Sequence, residues 1–371
     1  MEYFSSRTAV SVMGIAGSVV VAAASAQTVH EHTHASGTTA HQHASVTAQP
    51  AQPERPTGVP GEGGRRMEVV DLPAPTVSIT IEGTSRVIRA NGLPTHKTGE
   101  FPNRGNPNAL RAQNHEVRVP LIPTLADEPI EARPEFGIGL NGVIFDSGTG
   151  EFWTAEQARS FGGGSAWNYE ALGGGVDLGL DMNHAHVQPT GKYHYHGTPT
   201  GLVEELHSHA DHAEMVQIGW AFDGFPIYSE WGYEDAFDAD SKVRALRSSY
   251  RLKEGARPTT PEGPGGKYDG TFGMDWEYVE GLGDLDECNG RFGVTPEFPQ
   301  GTYYYVVTEE YPSVPRFWRG EPDESVRRRG PGGGPGGGPG AGQEIDGRGG
   351  PGGAPGQRPG GVERRRRPAA G

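Results

Sequence analysis

Four of the chain's 14 histidines lie within residues 183–197, which read NHAHVQPTGKYHYHG. They form two His-x-His pairs, His184 with His186 and His194 with His196, on either side of a Pro-Thr-Gly sequence. Imidazole nitrogens are common ligands of zinc and copper, and sites for these metals need several such nitrogens close together. Histidines at this spacing therefore indicate transition-metal binding, provided that the chain folds so that the pairs meet.

A β-hairpin would bring the pairs together, because side chains alternate between the two faces of a strand. Whether both pairs share one face depends on the loop. A loop of four residues after Gln188 would place His186 opposite Tyr195, whereas a loop of three would place it opposite His194. Proline early in a type I turn and glycine at the following left-handed position favour the three-residue loop. We therefore expect all four imidazoles on one face and apolar residues on the other.

The ligand types favour zinc or copper as the metal cofactor. Copper oxidases also use His-x-His pairs, but they connect them through His-Cys-His to a second copper, and the single cysteine here, Cys288, has no histidine near it. A hydrolytic zinc site or a copper-binding module fits the sequence better than an oxidase. An alternative remains open, in which neutral histidines stack and hydrogen-bond across the strands without a metal.

The chain contains a second copy of the hairpin sequence. PTGKYHY at residues 189–195 is repeated as PQGTYYY at residues 299–305, with Tyr304 in place of His194. A hairpin of this type therefore does not require histidine to fold, which favours a function for the histidines of the first copy.

Weaker candidates lie nearby. In the sequence LHSHADH at residues 206–212, His209 and His212 would share one face of a helix at i, i+3 and could supply further ligands. Asp181 and Asp223 could orient an imidazole or act as a general base. Each of these aspartates is also typical of an ordinary turn.

The pattern around these residues predicts a β-rich fold, mainly antiparallel with a few short helices, in a single globular domain over residues 67–325. Only residues 201–214 and 154–161 show helical periodicity. The predicted strands alternate β-branched or aromatic with polar residues and are bounded by Gly, Pro or Asn. They lie within residues 69–92, 115–123, 136–146, 215–228 and 302–308.

Both ends of the chain differ from this domain. Residues 1–26 have the apolar run and the Ala-Ser-Ala site of a secretory signal peptide, and no later segment is apolar for long enough to cross a bilayer. We expect a secreted, periplasmic or cell-surface protein. Residues 27–66, a His-rich leader, and residues 326–371, a Gly/Pro/Arg-rich tail, lack the apolar content to pack and are expected to be disordered. Arg364 to Arg367 could contact an anionic wall or matrix polymer.

Composition limits the partners. A formal net charge of -15 argues against nucleic acid as a partner. A single cysteine cannot form an intramolecular disulfide, so Cys288 is expected to be a small buried residue. No phosphate loop, dinucleotide fingerprint or Ser-His-Asp set points to another chemistry, and the ligand, a small molecule or a polymer, is not identified by the sequence.

The hairpin block LGLDMNHAHVQPTGKYHYHGTPTGL (178–202) resembles the YHYH-domain proteins, which are named after the type of motif present here at residues 193–196. The resemblance covers about residues 85–325 and implies an exported bacterial domain of a family without a settled biochemical activity. Other blocks that look like this family are TGEFPNRGNPN (98–108), IGLNGVIFD (138–146), IGWAFDGFPIY (218–228), YDGTFGMDWEYVEGLGDLDECNGRFGVTPEFPQGTYYYV (268–306) and YPSVPRFWRG (311–320).

Two hypotheses follow from the sequence. The first is a domain that binds zinc or copper through His184, His186, His194 and His196, with metal-dependent hydrolysis as one possible activity. The second is a metal-free extracellular or cell-surface binding module, tethered through its terminal segments.

Overall fold

The computed structural model describes residues 71–132, 134–157, 159–161, 165–207 and 214–327. The signal, the leader, Arg364 to Arg367, His209 and His212 lie outside the described residues, so their predicted roles stay predictions. The strands are β1 (Val77–Glu82), β2 (Ser85–Ala90), β3 (His115–Pro120), β4 (Leu125–Glu131), β5 (Glu135–Gly139), β6 (Ile144–Asp146), β7 (Glu151–Phe152), β8 (Ser160–Phe161), β9 (Ala185–Val187), β10 (Tyr193–Tyr195), β11 (Gln217–Ala221), β12 (Pro226–Tyr228), β13 (Trp231–Tyr233), β14 (Val243–Ala245), β15 (Tyr250–Leu252), β16 (Trp276–Tyr278), β17 (Gly290–Gly293), β18 (Thr302–Val306) and β19 (Phe317–Gly320). The helices are α1 (Thr200–Leu206) and α2 (Glu324–Arg327), with one 3-10 turn at Gly273–Asp275.

The predicted β-rich fold is confirmed. Its centre is an eight-stranded sheet in the order β17-β18-β12-β11-β5-β6-β10-β9, in which two pairs, β6 with β10 and β12 with β18, are parallel and the others antiparallel. The main apolar core contains fully buried residues from seven of these strands, among them Phe136, Phe145, Tyr195, Ile227 and Tyr305.

The two helical predictions have different outcomes. The first helix forms as α1 but ends at Leu206, because His207 adopts an extended conformation. The second is wrong: Thr154 and Gln157 exchange backbone hydrogen bonds in a tight turn, and the chain then enters β8. The hydroxyl of Thr154 accepts a bond from the Gln157 amide at 3.2 Å, and this local side-chain bond competes with a helix.

The histidine hairpin has the predicted register. His186 of β9 lies opposite His194 of β10, so the three-residue loop is confirmed. Gly191 ends the loop with a φ of 88°, in the left-handed region that favours glycine, and its amide donates to the Gln188 carbonyl at 2.8 Å. The face opposite the histidines packs on the core through four residues that are fully buried. They are Ala185, Val187, Tyr193 and Tyr195.

The eight-stranded sheet consists of two equivalent halves related by a twofold rotation. Strands β5, β6, β9 and β10 of one half correspond to β11, β12, β17 and β18 of the other, and the strand order is the same when counted outward from the centre. The rotation axis passes between β5 and β11, where Ile138 pairs with its own counterpart, Trp220. Both β5 and β11 also carry a bulge at the same place, between Glu135 and Gly137 and between Gln217 and Gly219.

The equivalence extends to single hydrogen bonds. In the first half the backbone amide of His184 donates to the carbonyl of Asp181 at 3.1 Å, and in the second half Asn289 donates to Asp286 at 3.0 Å. His184 and Asn289 have almost the same left-handed backbone, with φ values of 51° and 53°. The short repeat visible in the sequence therefore belongs to a duplicated four-strand unit.

The equivalence of His184 and Asn289 predicts which residues can replace His184 without loss of stability. Asparagine adopts the left-handed region more readily than most residues, and the second half already uses it there. We expect His184→Asn to change the free energy of unfolding of the metal-free protein by less than about 1 kcal/mol, and His184→Ile to lower it by about 1–2 kcal/mol. Urea unfolding measures both values. Asn289→Ile is the companion variant and should cost at least as much as His184→Ile, because it also removes the hydrogen bonds of the Asn289 side chain to the Val306 carbonyl and the Thr308 hydroxyl. Equal effects of Asn and Ile at position 184 would contradict the assignment.

Candidate metal centre

Three of the four predicted histidines converge. His186, His194 and His196 each present a ring nitrogen, and these three atoms lie within 4.8 Å of one another. The Nε2 atoms of His186 and His196 are 3.2 Å apart. Two nitrogens bound to one tetrahedral metal ion at about 2.0–2.1 Å would be about 3.3 Å apart, so this separation fits such an ion. His194 and His196 are buried, and His186 is half-buried.

Backbone carbonyls orient the three rings. His186 donates from Nδ1 to the Leu178 carbonyl at 2.8 Å, and His194 donates from Nδ1 to the Lys192 carbonyl at 3.3 Å. The ring of His196 bonds to the backbone of Asp146. A carbonyl oxygen only accepts, so we assign the ring proton to the nitrogen that faces it. The other nitrogen of each ring then has a free lone pair, as a metal ligand requires.

Burial keeps these histidines uncharged. It lowers the pKa of His186, and it lowers the pKa values of His194 and His196 well below the usual range, with further lowering by the neighbouring imidazoles. A charged imidazole would lose hydration here, and the carboxylates of Glu151 and Asp181, which act on His186 in the opposite direction, do not outweigh this loss. The site is therefore a set of three neutral nitrogen donors at neutral pH.

His184 does not join the cluster, which corrects the expected four converging rings to three. Its carbonyl still accepts from the His196 amide at 2.8 Å, as the register requires. Its left-handed backbone, however, turns the ring away, and Nδ1 lies 2.9 Å from the Thr198 carbonyl. The cause is a turn that begins at Asp181, whose carboxylate accepts from the Asn183 amide at 2.9 Å, so that β9 begins only at Ala185.

A pocket of about 120 Å³ opens beside His196. Its polar and aromatic residues come from five segments that are distant in the sequence. The polar and aromatic residues that line it are Asp146, Glu170, His196, Trp276, Tyr311 and Arg316. Arg316 forms a short ion pair with Glu170, and burial raises the pKa of Asp146 to about 6, while the nearby charge of Lys192 opposes this rise.

Sequence reasoning missed Asp146, Glu170 and Arg316 as site residues. Asp146 lies beside His196 because β6 and β10 pair in parallel, with Phe145 level with Tyr195. Parallel pairing joins distant segments and leaves no short motif. A comparison of the two halves would have singled out Asp146, because Tyr228 occupies the equivalent place on β12.

The two candidate aspartates take part in the framework, and neither lines the pocket. Asp181 accepts hydrogen bonds from the Tyr193 hydroxyl at 2.7 Å and the Gly99 amide at 2.9 Å. Asp223 is fully buried and accepts from the Gly320 amide at 2.9 Å and, through a short bond, from the Tyr305 hydroxyl. Their roles as general base or ring-orienting group are not supported by a contact with the three histidines.

Cys288 is fully buried, as expected for a small core residue. Burial raises the pKa of its thiol, so the reactive thiolate is disfavoured. In the duplicated unit it occupies the place of Asn183, and both backbone amides donate at 2.9 Å to the preceding aspartate, Asp286 and Asp181 respectively.

Comparison with known proteins identifies a family for the chain. A family model with the description YHYH protein matches residues 116–320, more than half of the chain. No curated protein and no solved structure matches the chain. Among the described residues, no helix is both long and apolar enough to span a membrane.

The neutral state of the three histidines can be measured through metal binding. At pH 6.0, three histidines with the ordinary pKa of about 6.5 would be mostly protonated and would release about two protons per bound metal ion. Because burial lowers the pKa values of His186, His194 and His196, we expect the release of fewer than about one proton per bound metal ion. Zinc titration calorimetry in two buffers with different ionisation enthalpies gives this number. Release of two protons or more would contradict the assignment of three neutral donors.

Proposed function

This chain belongs to the YHYH protein family, and we propose that it holds one transition-metal ion, zinc or copper, on His186, His194 and His196. The observation that carries the proposal is the convergence of three ring nitrogens within 4.8 Å. Three neutral imidazoles with one position left open are the donor set of catalytic zinc sites such as that of carbonic anhydrase.

The metal-free alternative explains the same atoms less well. The ring protons of His186 and His196 are assigned to the nitrogens that face backbone carbonyls. The Nε2 lone pairs of the two rings then face each other at 3.2 Å without a proton between them. A cation between the two nitrogens would remove this repulsion. In the second half Arg291 takes the place of His186, Tyr304 that of His194 and Val306 that of His196, and the arginine Nε donates to the tyrosine hydroxyl at 2.6 Å. The fold can therefore fill these positions with residues that need no metal, and the first half has three histidines there instead.

The pocket beside His196 supports hydrolysis as the activity. Bound zinc would supply a water molecule activated at neutral pH. The chain itself provides a cavity in which a substrate group could contact this position, with Arg316 and Asp146 on its walls. Its volume of about 120 Å³ is slightly below that of an engineered cavity that binds benzene, which limits the entering group to a similar size.

Export also belongs to the proposal. It rests on the signal-like residues 1–26, and an exported protein would meet zinc or copper outside the cytoplasm.

Metal content tests the site directly. We expect the purified full chain, dialysed with a weak chelator to clear the His-rich leader, to keep about one zinc or copper ion more than the His194→Ala/His196→Ala variant, because removal of two of three ligands destroys the site. Inductively coupled plasma mass spectrometry gives the number of ions per chain.

The matched control is His184→Asn, which changes the hairpin histidine outside the cluster and should keep the same metal content as the wild type. Equal metal in the wild type and the double alanine variant, with both chains folded, would contradict the proposed site.

Hydrolysis is tested separately on the zinc-loaded chain. We expect it to hydrolyse a small activated ester such as p-nitrophenyl acetate, to lose this activity with a strong chelator and to regain it with added zinc, because the activated water depends on the metal. The absorbance of p-nitrophenol measures the rate. If the loaded wild type and the His194→Ala/His196→Ala variant have the same rate, the hydrolase part of the proposal fails and a metal-binding module remains.

A further inference from the structure

A set of buried charges lies behind the three histidines. Lys192 is 5% exposed and donates a short hydrogen bond to the carboxylate of Glu135, which is 8% exposed. Asp146 is 3% exposed, and its carboxylate accepts bonds from the Gln188 amide group and the Gly148 backbone amide, both at 3.3 Å. The charges of both Lys192 and Glu135 act on Asp146. The three groups therefore form one buried electrostatic cluster with a net charge of one negative unit when all are ionised.

Each end of this cluster is connected to a histidine of the candidate site. The carbonyl of Lys192 orients His194, and the backbone of Asp146 holds His196. The Asp146 carboxylate also lines the pocket next to His196. It is not in the group of ligand atoms that lie within 4.8 Å of one another, so it lies outside the ligand shell but close to it.

The fold does not require these charges. The second half has Gln217 in the place of Glu135, Tyr228 in the place of Asp146 and Thr302 in the place of Lys192, all uncharged at neutral pH, on strands with the same pairing. Buried ionised groups lose hydration, and a buried ion pair is often no more stabilising than apolar or neutral residues. A cluster that is expensive to bury and is present only in the half with the histidines points to a role in that half's function.

We propose that Asp146 supplies, from outside the ligand shell, the negative charge that stabilises the bound metal ion. The inference rests on the proposed metal site. Three neutral imidazoles leave the full charge of a divalent ion uncompensated in a buried environment, where a nearby carboxylate interacts strongly with it. The Arg316–Glu170 pair on the other wall of the pocket contributes no net charge.

The test compares a variant that removes the negative charge with a variant that leaves the net charge of the cluster unchanged. Asp146→Asn removes the negative charge and should weaken zinc binding by about 10–100-fold, the range usual for changes just outside a ligand shell. The double variant Glu135→Gln/Lys192→Met keeps the size of both side chains and the net charge and removes a positive charge that acts on His194 and His196, so it should weaken zinc binding by less than about threefold. Competition against a fluorescent zinc chelator measures all three constants on the full chain.

Thermal unfolding without metal separates this role from a structural one. Asp146→Asn should leave the unfolding temperature of the metal-free protein unchanged or raised, because its oxygen can accept from the Gly148 amide, its NH2 group can donate to a rotated Gln188 side chain, and the buried charge is lost. The inference is overturned if Asp146→Asn binds zinc within twofold of the wild type, or if both variants weaken binding equally. A wild type that binds no zinc or copper would instead overturn the proposed function itself.

Discussion

The candidate site depends on the pairing of β9 with β10 in one register. A shift of one residue would send His186 to the face opposite His194, because strand side chains alternate. Two independent constraints fix this register. The left-handed glycine of the Pro-Thr-Gly loop sets the turn, and the fully buried tyrosines Tyr193 and Tyr195 hold the other face on the core. The tyrosines of the Tyr-His-Tyr-His motif thus position the histidines by burying the opposite face of the strand.

The duplicated halves separate structural from functional residues within one chain. The features that both halves share serve the framework: the loop glycine, the buried tyrosines and the turn at Asp181 or Asp286, each of which accepts a tyrosine hydroxyl. The features present in only one half are the three histidines and the buried charges. In the second half the equivalent face packs into a separate apolar cluster that includes Tyr304 and Val306. The same backbone therefore supports a cluster of histidines in one half and a mainly apolar cluster in the other.

Seven of the eight strands of the central sheet, the hairpin and its register could be predicted from the sequence, because alternation and turn chemistry act over a few residues. Two features of the site could not. The direction of the His184 ring depends on its left-handed backbone. The sequence indicates this backbone only when the two halves are aligned, because Asn289 then takes the place of His184. The approach of Asp146 and Arg316 to His196 depends on tertiary contacts, of which the parallel β6–β10 pairing is one. The false helix at 154–161 reflects a local hydroxyl bond that periodicity does not register.

The twofold axis between β5 and β11 is also the geometry of an isologous dimer interface, in which a surface pairs with a second copy of itself. A half-length ancestor consisting of one four-strand unit would expose β5 as an open sheet edge, and pairing with the same strand of another subunit would close it. Fusion of two such genes would preserve the sheet and allow the sequences of the two copies to diverge. An asymmetric protein with one polar site could then arise from a symmetric assembly that carried two.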